Sequence, residues 1–157
     1  MRSFILARAI HVLGVVFWIG GVAMVTTVLL PAVRGFKKPH DRVVFFEMVE
    51  SRFARQARWS TLITGVSGLY MLYYLNGWSW IHQWSHWWVA AMVLVWTIFT
   101  LMLFVLEPLV LHRLLRARAT RDPDGTFAFI QVMHWVLLSL SLITIAGAVA
   151  GSHGWAF

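Results

Sequence analysis

The chain contains no cysteine, and only 12% of its 157 residues are Asp, Glu, Lys or Arg. The first absence excludes disulfides, thiolate metal sites, Cys-ligated iron–sulfur clusters and c-type haem attachment. The second sets the chain apart from soluble domains, in which about 25% of residues are charged. Acidic residues are scarcest, with 6 Asp+Glu against 13 Lys+Arg and a net charge of +7. That excess does not point to nucleic acid, because the basic residues sit in short connections between apolar runs.

What is present is apolar surface. Hydrophobic residues make up 60% of the chain, and its mean hydropathy is +0.74. These values and the long apolar runs place it among integral membrane proteins. The pattern predicts an all-α, four-helix membrane bundle in one domain, with helices at about 3–33, 59–75, 85–112 and 127–150. The first run is longer than a signal-peptide core and no small-x-small cleavage site follows, so it reads as a retained helix. Pro31 marks its expected end. Between helices 1 and 2, Val43, Val44, Phe46, Val49 and Phe53 alternate with Glu47, Glu50, Arg52 and Arg55. This spacing predicts a short amphipathic helix at about 42–57, lying on the lipid surface.

Charge sets the expected topology. Seven basic residues fall between Arg34 and Arg58, and four between Arg113 and Arg121, leaving only Arg2 and Arg8 elsewhere. The positive-inside rule then places both termini outside the bacterial plasma membrane, which is the periplasm if the cell is Gram-negative. The connection from Asn76 to Trp88 has no charged residue but holds Trp78, Trp80, Trp84, Trp87 and Trp88. It reads as an interfacial loop. Gly14 in helix 1, Gly65 and Gly68, and Gly147 and Gly151 leave room for close helix packing.

Ionisable residues inside apolar runs are functional-site candidates. His11 and His134 lie deepest. Each sits about 10 Å inside its helix end, His11 towards the outer face and His134 towards the inner. Imidazoles on facing helices of a membrane bundle suit haem b, whose iron accepts an axial imidazole from each side. The depths suggest an outer site using His11 with His86 or His153, and an inner site using His134 with His112, hence one or two haems. Arg55 or Arg58 is a candidate partner for a haem propionate, against the plainer role of meeting lipid phosphates. His82 and His86, four apart, would share one face of a helix and offer a copper alternative. Glu107 is expected to pair with a nearby Arg, with a proton relay as the alternative. Each histidine also has a plain structural reading as a bridge between helices.

The run Arg-Ala-Ile-His11-Val-Leu-Gly-Val-Val-Phe-Trp18-Ile-Gly20-Gly, followed by Pro31, resembles the opening helix of the CopD and HemJ-type superfamily of small bacterial four-helix membrane proteins. Phe-Phe-Glu47-Met-Val-Glu50-Ser-Arg52-Phe, leading into Gly65 and Gly68, is similar to the HemJ-type arrangement. The resemblance implies a haem-associated protein with His11 as the first-helix histidine. HemJ-type members oxidise protoporphyrinogen, and CopD-like members are associated with copper import. Two departures count against the oxidase. The family's early helix-3 lysine is replaced by His86-Trp-Trp, and the Asn-Glu pair of its fourth helix by Met133-His134. The expectation is therefore a b-type haem protein passing electrons between an outer-side redox protein and quinone or another membrane component, alone, as a homo-oligomer or in a larger complex. The alternatives are a HemJ-like protoporphyrinogen oxidase, a copper-handling protein and a cofactor-free structural subunit.

Overall fold

The computed structural model describes residues 1–36, 39–111, 117–118 and 121–155, apart from the side chains of 39–40 and 110–111. Among the described residues every regular element is helical. The chain begins with α1 (Arg2–Met24), continues through a π-helical turn (Val25–Leu29) and ends this rod with α2 (Leu30–Arg34). Pro31, expected to stop the helix, lies inside it. Proline has no N–H to donate. In the π pattern the donor reaches five residues back, as the Leu30 N–H does to the Val25 carbonyl. The carbonyl left without its donor is therefore that of Thr26. Gln131 fills the vacancy from another helix, its Nε2 donating to Thr26 O at 2.8 Å.

The expected interfacial helix and second helix are one element, α3 (Pro39–Tyr74), 36 residues long. No Gly or Pro interrupts residues 41–59, and Ala54 and Ala57 are buried in its middle, so nothing breaks the ladder. It ends at Asn76, whose φ of 50° is the left-handed conformation of a C-terminal stop.

A 3₁₀ turn (Gly77–His82) and a second (Trp84–His86) lead into α4 (Trp87–Leu101). A π-helical segment (Met102–Leu111) containing Pro108 follows. Residues 112–116, including His112, lie outside the description. The last helix, α5 (Pro123–Ser152), starts four residues before the expected position. Asp122 caps it by accepting the Gly125 N–H at 2.9 Å, and Pro123 occupies the first turn.

Neighbouring rods run antiparallel. The N-terminal amine donates to the Tyr74 hydroxyl at 3.1 Å, and Phe4 stacks on the Tyr74 ring. Trp87 and Trp88 sit on the bare backbone of Gly147 and Gly151. Two apolar clusters hold the rods together. Trp18, Ile19 and Val22 meet Val95, Phe99, Leu137 and Leu138, and Val25 to Val33 meets Phe127 and Ile130.

Three helices are long and apolar enough to cross a membrane: Arg2–Arg34, Trp84–Leu109 and Pro123–Ser152. In the second and third, only 17% of the most apolar window is buried. Leu94, Leu101 and Leu109 on the second and Phe129, Val132, Leu142 and Ile143 on the third are among their exposed apolar side chains.

Candidate functional site

His11 lies on the inward face of α1, one turn before Gly14 and two before Trp18, both buried. Gly14 brings α3 close enough for the imidazole to reach it. His11 Nδ1 is 2.9 Å from the Thr64 carbonyl oxygen and 3.3 Å from Ser67 Oγ. A carbonyl only accepts, so Nδ1 carries the proton. The ring edge rests on Gly68, where a methyl group would stand 3.1 Å from Cε1. Nε2 is left with a lone pair and no hydrogen bond among the described residues. A metal-ligating histidine is prepared in this way, with one nitrogen held by a backbone acceptor and the other free.

His134 is prepared in the same way by a different partner. Its Nδ1 is 2.9 Å from the Ile130 carbonyl, one turn back on α5. The ring borders a cavity of about 120 Å³ towards the rod ends that carry the basic connections. The apolar wall includes Phe99, Met102, Phe127, Met133 and Leu137, and Trp18 lines it beside Phe99, the two rings edge-on with centroids 4.9 Å apart. Trp18 is 3% exposed, and its Nε1 has no hydrogen-bond partner among the described residues.

Glu47, Glu50 and Glu107 also line this cavity. Glu107 Oε1 pairs with Arg58 Nη2 at 3.0 Å, while its buried Oε2 has no partner among the described residues. The backbone explains how Arg58 is aimed. Pro108 lacks the N–H that would reach five residues back, so the Leu103 carbonyl is open, and Arg58 Nε donates to it at 3.1 Å. Burial pushes the Glu50 carboxyl up to about 7, the Glu107 and Glu47 charges add to the rise, and Arg58 opposes it.

The expected histidine pairs are not assembled among the described residues. His86 stacks on Trp80 with ring centroids 5.1 Å apart and lies 5.2 Å from the Trp88 ring. Its Nδ1 is 3.0 Å from Ser85 Oγ. His153 is exposed and turns its Nδ1 to the Val149 carbonyl at 2.8 Å. Both are tied locally, and among the described residues neither has a hydrogen bond or ring contact with His11. His112, the expected partner of His134, lies outside the described residues. His82 and His86 do not share a helical face, because extended Gln83 separates their 3₁₀ turns. No group of three His, Asp or Glu side chains gathers for a metal among the described residues. Arg58 is committed to Glu107 and Leu103, whereas Arg55 is exposed beside Arg52, Gln56 and Trp59.

Sequence reasoning missed Glu50 and Trp18 as cavity residues. Glu50 resembled the polar stripe of an interfacial helix, and only the continuation of α3 turns it inward. Trp18 follows His11 by seven residues and shares its face of α1, which is a signal legible in the sequence. Comparison with protein-family models, curated proteins and solved structures finds no match to this chain.

Proposed function

We propose that the chain is an integral membrane protein of the bacterial plasma membrane with four crossing helices, holding haem b through His11 and passing electrons between an outer-side redox protein and quinone. The three long apolar helices and their outward-facing side chains support the membrane reading. The fourth crossing is residues 59–74 of α3, about 24 Å of helix at 1.5 Å per residue. The basic connections then face the cytoplasm and both termini lie outside. The motif resemblance to the CopD and HemJ-type superfamily agrees with this reading.

The observation that carries the haem assignment is the lock on His11. Its Nδ1–H is spent on Thr64, and Nε2 is presented as a free lone pair on a buried helix face. These residues fit one axial imidazole. The carbonyl of Thr64 fixes the tautomer and makes Nε2 the more basic nitrogen. Haem, when bound, supplies the one-electron chemistry. The chain supplies the ligand, its orientation and a low-dielectric surround. The inner cavity fits a macrocycle poorly, since about 120 Å³ is below the roughly 300–1,000 Å³ of ordinary cofactor and drug pockets. The haem reading therefore rests on His11 and not on His134.

Spectra of the purified protein test it. The protein is expected to show a b-type Soret band, and its pyridine haemochrome the α band of haem b. His11→Ala should remove most of that signal, while His134→Ala should retain it. A protein left colourless after expression with ample haem would overturn the assignment.

A further inference from the structure

We propose that the inner cavity beside His134 binds the head-group ring of a lipid-soluble benzoquinone or its quinol. Size is the first argument. An apolar cavity of about 150 Å³ accepts one benzene ring. The cavity here, about 120 Å³, is on the scale of one six-membered ring, and it is open on one side, where ring substituents and a tail can extend. Its walls are aromatic and thioether groups, Phe99, Phe127, Met102 and Met133 among them, which suit the two faces of a flat ring.

Polar chemistry is the second argument and separates a quinone from a plain arene. The Trp18 indole offers a free donor from a side chain that is 3% exposed. A buried N–H without a partner costs stability, and an oxygen on the ligand relieves that cost. His134 Nε2 offers an acceptor, because Nδ1 is spent on Ile130 and Nε2 has no hydrogen bond among the described residues. Glu107 Oε2 is a second buried acceptor without a partner among the described residues. A quinone carbonyl satisfies the donor, and a quinol hydroxyl satisfies either acceptor. The two forms differ by two electrons and two protons. Glu50, whose carboxyl is raised to about 7, lies on the same wall and can hold or release one of those protons, while the electrons pass to or from the haem of the preceding reading, one at a time. The charged groups facing this space are Glu47 and Glu50 from α3, Glu107 from the π segment with Arg58 against it, and His134 from α5.

Access is the third argument. The cavity lies between the inner ends of helices whose outer surfaces are apolar, so a lipid-dissolved molecule meets it from the side. Val43, Phe46 and Glu47 on its α3 wall are half-buried. That the bound quinone exchanges electrons rests on the haem reading, but binding of the ring does not.

The full chain in detergent would be titrated with decylubiquinone, and with decylbenzene as a ring of similar shape without oxygens, following tryptophan fluorescence. Saturable binding of one decylubiquinone per chain is expected, with decylbenzene at least tenfold weaker. Trp18→Phe removes the N–H and should weaken decylubiquinone binding about threefold to tenfold. Ala54→Leu, which adds volume from the cavity wall without touching a polar group, should abolish it while circular dichroism stays unchanged. Equal binding of the two probes, no saturable binding, or folded Trp18→Phe and Ala54→Leu variants with unaltered affinity would each overturn the site. A colourless protein that still binds decylubiquinone keeps this site and loses only the haem reading.

Discussion

At the residue scale, what decides a side chain's role here is which of its atoms is already spent. His11 and His134 each commit Nδ1 to a carbonyl and keep Nε2. Arg58 commits both ends, to Leu103 and to Glu107. Glu50 has the least settled charge. Its carboxyl is raised to about 7 by burial and by Glu107, so the folded state holds the proton more tightly than the unfolded state. The stability this contributes is fully present below the ordinary carboxylate pKa of 4.5 and is lost as the pH rises through about 7. Apparent melting temperature in detergent should therefore fall between pH 5 and pH 8. Glu50→Gln should flatten that fall, with a difference on the order of 1–2 kcal/mol at pH 8 once solvent screening is allowed for. Parallel melting curves for the two proteins would show that Glu50 does not titrate in this range.

At the element scale, two prolines inside helices create two acceptors for other helices. Pro31 frees Thr26 O for Gln131, and Pro108 frees Leu103 O for Arg58. Each proline sits in or just after a π-helical segment, whose wider turn accommodates the ring. Gln131→Leu should cost about 1–3 kcal/mol, because it leaves a buried carbonyl unpaired. In a Pro31→Ala background the same change should cost less, since an alanine at that position would supply the missing backbone donor. Thermal melts of the four combinations measure the coupling, and strictly additive effects would refute it. The prolines are plain in the sequence. Their partners are not, because Gln131 lies 105 residues from Thr26.

At the scale of the whole molecule, Arg34 and Arg42 lie at the rod ends opposite the tryptophan-rich connection. The absence of cysteine makes the proposed orientation simple to test. Single Arg118→Cys and Trp155→Cys variants, both at exposed positions, would be treated in intact cells with a membrane-impermeant maleimide. Labelling at 155 and protection at 118 are expected from the charge asymmetry. The reverse pattern would invert the topology, and moving the inner cavity to the outer face would then change which compartment supplies its protons.

The helical class, three of the four long rods and the seat of His11 within the first rod were legible from composition, periodicity and one histidine inside an apolar run. Those features are local, since each depends on residues a few positions apart along one helix. Gly14, Gly68 and Gly151 also announced close packing, although not what would be packed against them. Tertiary structure alone decided that α3 is a single helix carrying Glu50 into the interior, that His86 stacks on tryptophan, and that Trp18, Glu107 and His134 border one cavity. The physical reason is that these relations join residues far apart in sequence. Helical periodicity specifies which side of a rod a residue occupies, whereas the register between rods is set by where glycines admit aromatic rings and where prolines leave carbonyls open.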